Sequence, residues 1–327
     1  MSFKLCSNGL VIDDKSLTFN LPIFMDSVLR GIGQVLLQNN SYSGLLFFIG
    51  IFYNSTLFGV AVLVGTVVST LTAIIFGMDP SKVRSGLFGF NGALVAIALS
   101  YFLHSDSLTW VYVIFASSFS TVLMAAAIRL LDVWKMPTLT SPFVLTALGF
   151  LLACARLGRL QSTNVLPNAG LPIAATVEGI VTLSTVAEGL FNGIGQVFFQ
   201  ENIVTGVIFS LALLISSRRA FIMGLLGSLT GILIAWILGA AEPAIRSGAF
   251  SFNSVLTAVA VGGIFTAINI ASIIYMSLAV IVTTVVFAGV SAALEPLGMP
   301  AMTLPFVLVV WVFVLASPLF PKLQGKA

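Results

Sequence analysis

Apolar residues dominate the chain from residue 21 onward, and polar residues occur there mainly as short breaks. A helix needs about 20 apolar residues to span the hydrocarbon core of a bilayer. The segments of this length, which we predict to be spanning helices, are Leu57–Phe76, Leu108–Leu131, Phe221–Ala240 and Ile270–Leu294. The shorter apolar segments are Leu45–Phe52, Gly86–Leu103 and Thr140–Ala155. The first 20 residues are predicted to form a polar arm.

The composition places most of the surface in lipid. Hydrophobic residues make up 58% of the chain and charged residues 8%, whereas a soluble domain carries about 25% charged residues. The net charge of +3 is small and scattered, so it does not indicate nucleic-acid binding. Cys6 and Cys154 lie far apart and suggest neither a disulfide framework nor a metal site. We predict no metal and no cofactor.

The chain repeats three sequence blocks in the same order. The glycine block is Gly-Ile-Gly-Gln-Val at 31–35 and 193–197, the asparagine block is Arg-Ser-Gly-x-Phe-x-Phe-Asn at 84–91 and 246–253, and the proline block is Met-Pro-x-x-Thr-x-Pro-Phe at 136–143 and 299–306. The offset is 162 for the first two blocks and 163 for the third. We therefore predict a polar arm at 1–20, a first membrane repeat at 21–160, a linker at 161–182 and a second repeat at 183–327.

The distribution of positive charge indicates how the halves are oriented. If each half crosses the membrane five times, with a re-entrant piece near residues 86–91, the second half enters from the opposite side. The side holding the N-terminus then carries eleven lysines and arginines, and the other side carries three. Because cytoplasmic loops are enriched in these residues, we predict inverted repeats with both termini in the cytoplasm.

The proline blocks predict interrupted helices at matching positions of the two halves. A helix that ends inside the bilayer leaves backbone groups unpaired, which is tolerated only against protein or a polar cavity. The first proline (Pro137, Pro300) can begin a helix and the second can occupy its first turn. Thr140 and Thr303 are then predicted at helix N-termini with hydroxyls available. An ordinary helix with a capping threonine is the alternative, but repetition of the block favours a solute path.

Two aromatic–aliphatic pairs have helical spacing. Phe90 with Leu94, and Phe252 with Leu256, are four residues apart and lie on one helix face if these segments are helical. Such a face is more often packed against lipid or protein than exposed to a solute. Spacing alone therefore favours packing over a role in a pore.

Each glycine block carries one glutamine in apolar surroundings, Gln34 in the first and Gln196 in the second. A buried amide needs hydrogen-bond partners. Two interpretations are equally open: a helix–helix hydrogen bond or a place along a solute path.

Several residue patterns of other membrane proteins are missing from the sequence. His104 is the single histidine, so the histidine pair of ammonium channels is excluded, and the Asn-Pro-Ala repeat of aquaporins does not occur. Most carboxylates lie at segment ends, with Glu178 and Glu188 as the exceptions. Ion-coupled transporters usually need a buried acid. No nucleotide-binding loop or nucleophile–base pair is evident, and we do not predict an enzyme.

From about residue 29 to residue 306 the chain resembles the urea transporter family. That family carries Leu-Pro-x-x-Thr-x-Pro-Phe twice, and here Met136 and Met299 replace the leucines. The glycine and asparagine blocks are also similar to the family. The resemblance implies an all-α polytopic membrane protein of two inverted five-helix repeats, each with a re-entrant pore helix, around a central pore. It also implies a homotrimer with one pore in each protomer and facilitated diffusion without coupling.

The resemblance further implies which residues line the pore. Thr140 and Thr303 would meet at the constricted middle, and Phe90 and Phe252 would form flat slots. The remaining implied lining residues are Leu94 and Leu256 beside the slots, Gln34 and Gln196 at the two mouths, and Leu37 and Val197 as their apolar neighbours.

The sequence leaves two main functional hypotheses. The first is passive, channel-like diffusion of urea through a protein of the bacterial inner membrane, with urea and membrane lipid as its partners. The alternative is an ion- or proton-coupled transporter of another small neutral amide, with Glu188 as its motivating residue. A receptor or scaffold is a third class, and it predicts no solute flux.

Overall fold

Apolar helices form most of the computed structural model, which describes residues 3–6, 8–12, 20–172 and 175–323. The chain divides into two units, each compact by itself. Unit 1 comprises Met1–Leu130 and Thr140–Val165, and unit 2 comprises Leu131–Leu139 and Leu166–Ala327. The residues described within 161–182, the predicted linker, form no helix.

The helices of the first half range from 5 to 25 residues in length. They are α1 (Leu21–Gln34), α2 (Ser41–Asn54), α3 (Thr56–Ile75), α4 (Pro80–Arg84), α5 (Gly89–Phe102), α6 (Ser107–Leu131) and α7 (Ser141–Cys154).

The second half carries the same succession. Its helices are α8 (Leu183–Gly195), α9 (Ile203–Ser216), α10 (Arg218–Ile237), α11 (Glu242–Arg246), α12 (Phe252–Thr257), α13 (Ile270–Leu294) and α14 (Leu304–Ala316). A π-helix, Ala258–Phe265, continues α12 directly.

Four of these helices, α3, α6, α10 and α13, are long and apolar enough to cross a membrane alone. They coincide within a few residues with the four segments predicted from the sequence, so that prediction is confirmed. A fifth candidate is the segment pair Leu183–Phe198 and Ile203–Ser216, which is bent by 75° at its break. The chain is thus a helical polytopic membrane protein, while five crossings in each half and their inversion stay predictions.

The N-terminal arm contains secondary structure that the sequence analysis did not predict. Strand β1 (Phe3–Cys6) pairs antiparallel with β2 (Gly9–Ile12), with Phe3 opposite Ile12. The amide of Ser41, at the start of α2, donates to the carbonyl of Asn8 between the strands, at 3.3 Å. The all-α prediction therefore holds for the membrane part and not for this hairpin.

Local contacts recur in the two units. Tyr112 of α6 donates its hydroxyl to the Phe150 carbonyl of α7 at 2.9 Å, and Tyr275 of α13 donates to the Phe313 carbonyl of α14 at 2.8 Å. In each unit this bond ties a long helix to the short helix that follows a proline block. The repeat seen in the sequence thus extends to matching internal contacts.

A glycine turn connects the short helices α4 and α5. Gly86 adopts φ +76°, and a Cβ atom there would collide with the backbone of Arg30 and Gly31 in α1. Gly248, at the corresponding place in unit 2, has φ +82° and approaches the backbone of α8 in the same way. Both the backbone conformation and the close approach require glycine.

We expect Gly86→Ala to destabilise the fold by more than the roughly 1–2 kcal/mol that a left-handed conformation costs an L-residue. The added methyl group also forces α1 away from the turn. Thermal unfolding of detergent-purified protein measures the effect. Gly149→Ala is the matched control, because this helical glycine has open space around it. Equal unfolding temperatures for the two variants would contradict the argument.

Candidate functional site

Each proline block leads into a short helix, and the same backbone break precedes both helices. Thr140 immediately precedes α7 and Thr303 immediately precedes α14, each with φ near −92°. The residues before them, Leu139 and Met302, are left-handed, with φ of 52° and 48°. The prediction that both threonines lie at helix N-termini is confirmed.

One detail of that prediction was wrong. Pro137 and Pro300 do not begin the helices, because the left-handed residue that follows each of them breaks the helical path. Neither Thr140 nor Thr303 caps the helix that it precedes, although both side chains are almost fully buried and have other contacts. The interpretation as ordinary capping threonines is therefore excluded.

The asparagine blocks supply the missing caps. Asn91 of α5 accepts a hydrogen bond from the Phe143 amide, the third residue of α7, at 3.0 Å. Asn253 of α12 accepts one from the Phe306 amide of α14 at 3.2 Å. These amides are the ones that a capping side chain normally pairs. Both asparagines are fully buried, so each joins its asparagine block to its proline block.

The asparagine side chains differ in their second contact. The Asn253 amide group donates to the carbonyl of left-handed Met302 at 3.0 Å. The Asn91 amide group faces the sulfur of Met124 at 3.5 Å, which is a weaker acceptor. Both asparagines belong to a repeated motif, but the motif alone did not predict this capping role.

One freed carbonyl of the first proline block already has a partner. Trp311 of α14 donates its indole N–H to the Pro137 carbonyl at 2.8 Å. Pro137 and Trp311 both belong to unit 2. Residue 148, the position matching Trp311 in the first half, is leucine, so this contact has no counterpart there.

The aromatic–aliphatic pairs occupy helices as their spacing predicted. Phe90 and Leu94 lie on α5 and are buried. Phe252 and Leu256 lie on α12, where Leu256 is fully buried. Phe252 is half-buried, and its ring meets that of Phe287 edge-on at 5.7 Å. These positions fit close packing, and a role in a solute path stays a prediction.

The glutamines lie at matching helix ends. Gln34 is the last residue of α1, and its amide donates to the Ser85 carbonyl beside the glycine turn at 2.9 Å. Gln196 follows α8 and opens a short 3₁₀ turn. Both side chains are half-buried. For Gln34 the structure therefore shows the packing hydrogen bond that the sequence left as one of two alternatives.

Leu37 and Val197, the apolar neighbours of the two glutamines, do not occupy matching positions in the two halves. Leu37 is half-buried and left-handed, with φ 61°, and residue Phe199 has the same conformation with φ 58°. The offset of 162 also pairs Leu37 with Phe199. Val197 is buried inside the 3₁₀ turn instead. Phe199 is therefore a site candidate that the sequence analysis missed and that the offset could have revealed.

Glu188, the residue that motivates the coupled alternative, has a positively charged partner. Arg246 donates to Glu188 at 3.0 Å and to Glu242 at 2.6 Å. Thr185 also donates to Glu242, at 2.5 Å. Hydrogen bonds from Arg246, and then from Thr185, lower the pKa of Glu242 from its ordinary value. Within the described part of the chain, no three acidic, histidine or cysteine residues could hold a metal ion.

Two further acids, Glu178 and Asp26, differ in their surroundings. Glu178 is exposed in the segment before α8. Asp26, which the sequence analysis did not consider, lies within α1 and pairs with Arg30 at 2.6 Å. Asp26 matches Glu188 at the offset of 162, so both halves carry an ion-paired acid on this helix.

Comparison with known proteins assigns a family to this arrangement. A family model described as "Urea transporter" matches residues 25–318. Urea transporter 1 of Ovis aries is 30% identical over 304 residues, which cover 92% of this chain and 79% of that protein. Urea transporter 1 of Mus musculus is 31% identical over 308 residues, covering 93% and 78%. The match includes all three repeated blocks.

The two asparagine caps make a comparative prediction. We expect Asn253→Leu to destabilise the protein by about 1 kcal/mol more than Asn91→Leu, because it also leaves the Met302 carbonyl unpaired. Both variants leave one helix amide unpaired and have similar volumes, so each is the control for the other. Thermal unfolding in detergent gives the order. A larger loss for Asn91→Leu would contradict the assigned partners.

Proposed function

Because this chain belongs to the urea transporter family, we propose that it carries urea across a membrane by passive, channel-like facilitated diffusion. The observation that carries the proposal is the duplicated break before α7 and α14. There a left-handed residue, a buried threonine and an asparagine cap recur in both halves of the chain. Two such breaks in helices of a membrane protein place polar backbone where hydrocarbon alone could not accommodate it.

The chemistry of urea fits polar groups without net charge. Urea is flat and neutral, with four N–H donors and one acceptor oxygen. Transfer of an unpaired amide into an apolar medium costs several kcal/mol. Threonine hydroxyls, glutamine oxygens and carbonyls at broken helix ends can accept from its N–H groups. Neutral acceptors between apolar walls also disfavour ions, which keep a high desolvation cost.

The residues that we propose for the path are those that the family resemblance implies. Thr140 and Thr303 form the constriction, and the flat walls are phenylalanines and leucines. The full set is Gln34, Leu37, Phe90, Leu94 and Thr140 from unit 1, with Gln196, Val197, Phe252, Leu256 and Thr303 from unit 2. The shared left-handed conformation of Leu37 and Phe199 supports adding Phe199 to this set.

The position of the acids supports uncoupled transport over the coupled alternative. A coupling acid must gain and lose a proton or ion during transport. Glu188 is paired with Arg246, which Glu242 also binds. Glu188 is thus held in an ion pair, through an arginine that it shares with Glu242.

We expect purified protein in liposomes to pass urea down its gradient, with dimethylurea as a competitor. The rate should be the same with and without an imposed proton or sodium gradient, because Glu188, the acid that motivates the coupled alternative, is held in an ion pair. Stopped-flow light scattering measures the flux. A flux that requires an ion gradient would overturn the passive mechanism.

Glu188→Gln is the companion variant for this experiment. Arg246 keeps Glu242 as its partner, so we expect the variant to fold and to conduct urea unchanged from acidic to alkaline pH. A pH-dependent loss in this variant alone would support the coupled alternative instead.

We expect Thr140→Val and Thr303→Val each to slow urea flux while assembly is retained. Loss of one hydrogen-bond partner costs about 1–3 kcal/mol, which is about five- to a hundredfold in rate. Thr66→Val is the matched control, because this buried threonine only bonds its own helix, to the Val62 carbonyl. Unchanged flux in the double variant, with normal gel-filtration behaviour, would place the constriction elsewhere.

The proposal also covers the membrane in which the protein lies and its oligomeric state. We propose a homotrimer in a bacterial inner membrane with one path per protomer and cytoplasmic termini. The charge asymmetry supports the orientation, and the family resemblance supports the trimer. A monomeric mass in mild detergent would contradict the trimer, and reporter fusions active outside the cell would contradict the orientation.

A further inference from the structure

The second half contains one extra residue, and the structure shows where it lies. The offset between the halves rises from 162 at Asn253 to 163 at Met299. In the first half α5 is a continuous α-helix, whereas in the second half α12 continues as the π-helix Ala258–Phe265. A π turn holds one residue more than an α turn, and such turns often mark functional sites. The first residues of α6 and α13 already differ by 163, so the insertion precedes α13.

An arginine holds the end of this π-helix. Arg219 donates from Nε to the Gly262 carbonyl at 2.7 Å and from Nη2 to the Thr266 carbonyl at 2.6 Å. We call these two hydrogen bonds the arginine clamp. In the first half the position matching Arg219 is Leu57, so the clamp occurs in unit 2 alone of the two matching places. Both bonds go to neutral carbonyls. Among the ion pairs of the described residues, none involves Arg219.

A cavity of about 270 Å³ lies beside the clamp. Arg219 lines it together with residues at the start of α13, and its walls are otherwise mostly apolar. The lining residues Ile222, Ile268 and Ile273 are exposed. In a membrane protein, an exposed apolar surface of this kind can contact lipid acyl chains.

The depth of the cavity follows from the helices around it. Arg218 and Arg219 are the first two residues of the spanning helix α10, and Asn269 precedes the spanning helix α13. The beginning of a span lies at the level of the lipid headgroups. The guanidinium thus lies at headgroup depth, next to an apolar cavity that continues toward the hydrocarbon.

We propose that this cavity binds one anionic phospholipid. An acyl chain occupies the apolar cavity, and the phosphate is held by the remaining N–H groups of Arg219. A guanidinium suits a phosphate because it offers several N–H donors in a plane. Exposed Arg218, the preceding residue, adds a second positive charge. Urea is a poor occupant, because the walls offer it few acceptors.

Native mass spectrometry of the purified protein can test this site. The probes are phosphatidylglycerol and phosphatidylcholine with identical acyl chains, each added at the same mole fraction. We expect phosphatidylglycerol to be retained about tenfold more, and Arg218→Gln to reduce this preference about fivefold. Ala267→Leu, which fills part of the cavity, should lower retention without changing the surface charge.

The controls separate a lipid site from simpler explanations. Arg156→Gln removes an exposed arginine that does not line the cavity and should leave retention unchanged. Equal retention of the two lipids would overturn the proposal, as would unchanged retention in both Arg218→Gln and Ala267→Leu. Displacement of the phosphatidylglycerol by inorganic phosphate would also overturn it, because it would indicate a site for phosphate alone. Lipid retention is measured without urea, so the result is independent of the transport activity.

Discussion

The structure depends on one constraint: backbone N–H and C=O groups inside hydrocarbon must find partners within the protein. Each proline block breaks a helix and so creates such groups. Asn91 and Asn253 pair the amides at the starts of α7 and α14, and Trp311 pairs the Pro137 carbonyl. The left-handed residues before the threonines are acceptable because this surrounding network holds them. Polar groups can thus be kept within the membrane part without an ionised side chain.

The same constraint explains what the sequence could and could not predict. The four long helices follow from segment length alone, and the helix starts at Thr140 and Thr303 follow from proline, which acts locally. The side chains that cap the broken helices were not predicted, because Asn91 and Asn253 accept hydrogen bonds from residues about fifty positions away in the sequence. Pro137 and Pro300 were misplaced as helix starts because either can precede a turn as well as a helix. The hairpin at β1 and β2 has too little alternation to distinguish it from a polar arm.

The two halves of the chain differ in detail although their sequence blocks repeat. Asn91 and Asn253 keep one contact in common and differ in the other. Leu37 and Phe199 keep a backbone conformation with different side chains. The inserted residue of the second half is confined to the π-helix, beyond Phe252 and Leu256. The threonines before α7 and α14 thus keep matching positions, while the contacts around them differ.

The hydrogen bond between Trp311 and Pro137 also bears on how the chain is made. These residues are 174 positions apart, and a ribosome adds about 5–20 residues per second. Roughly ten to thirty seconds therefore pass between the synthesis of Pro137 and the synthesis of its hydrogen-bond donor, Trp311. During that interval the segment Leu131–Leu139 lacks the rest of its unit. The first half of the chain consequently leaves the ribosome without this contact, which can form only after Trp311 has been translated.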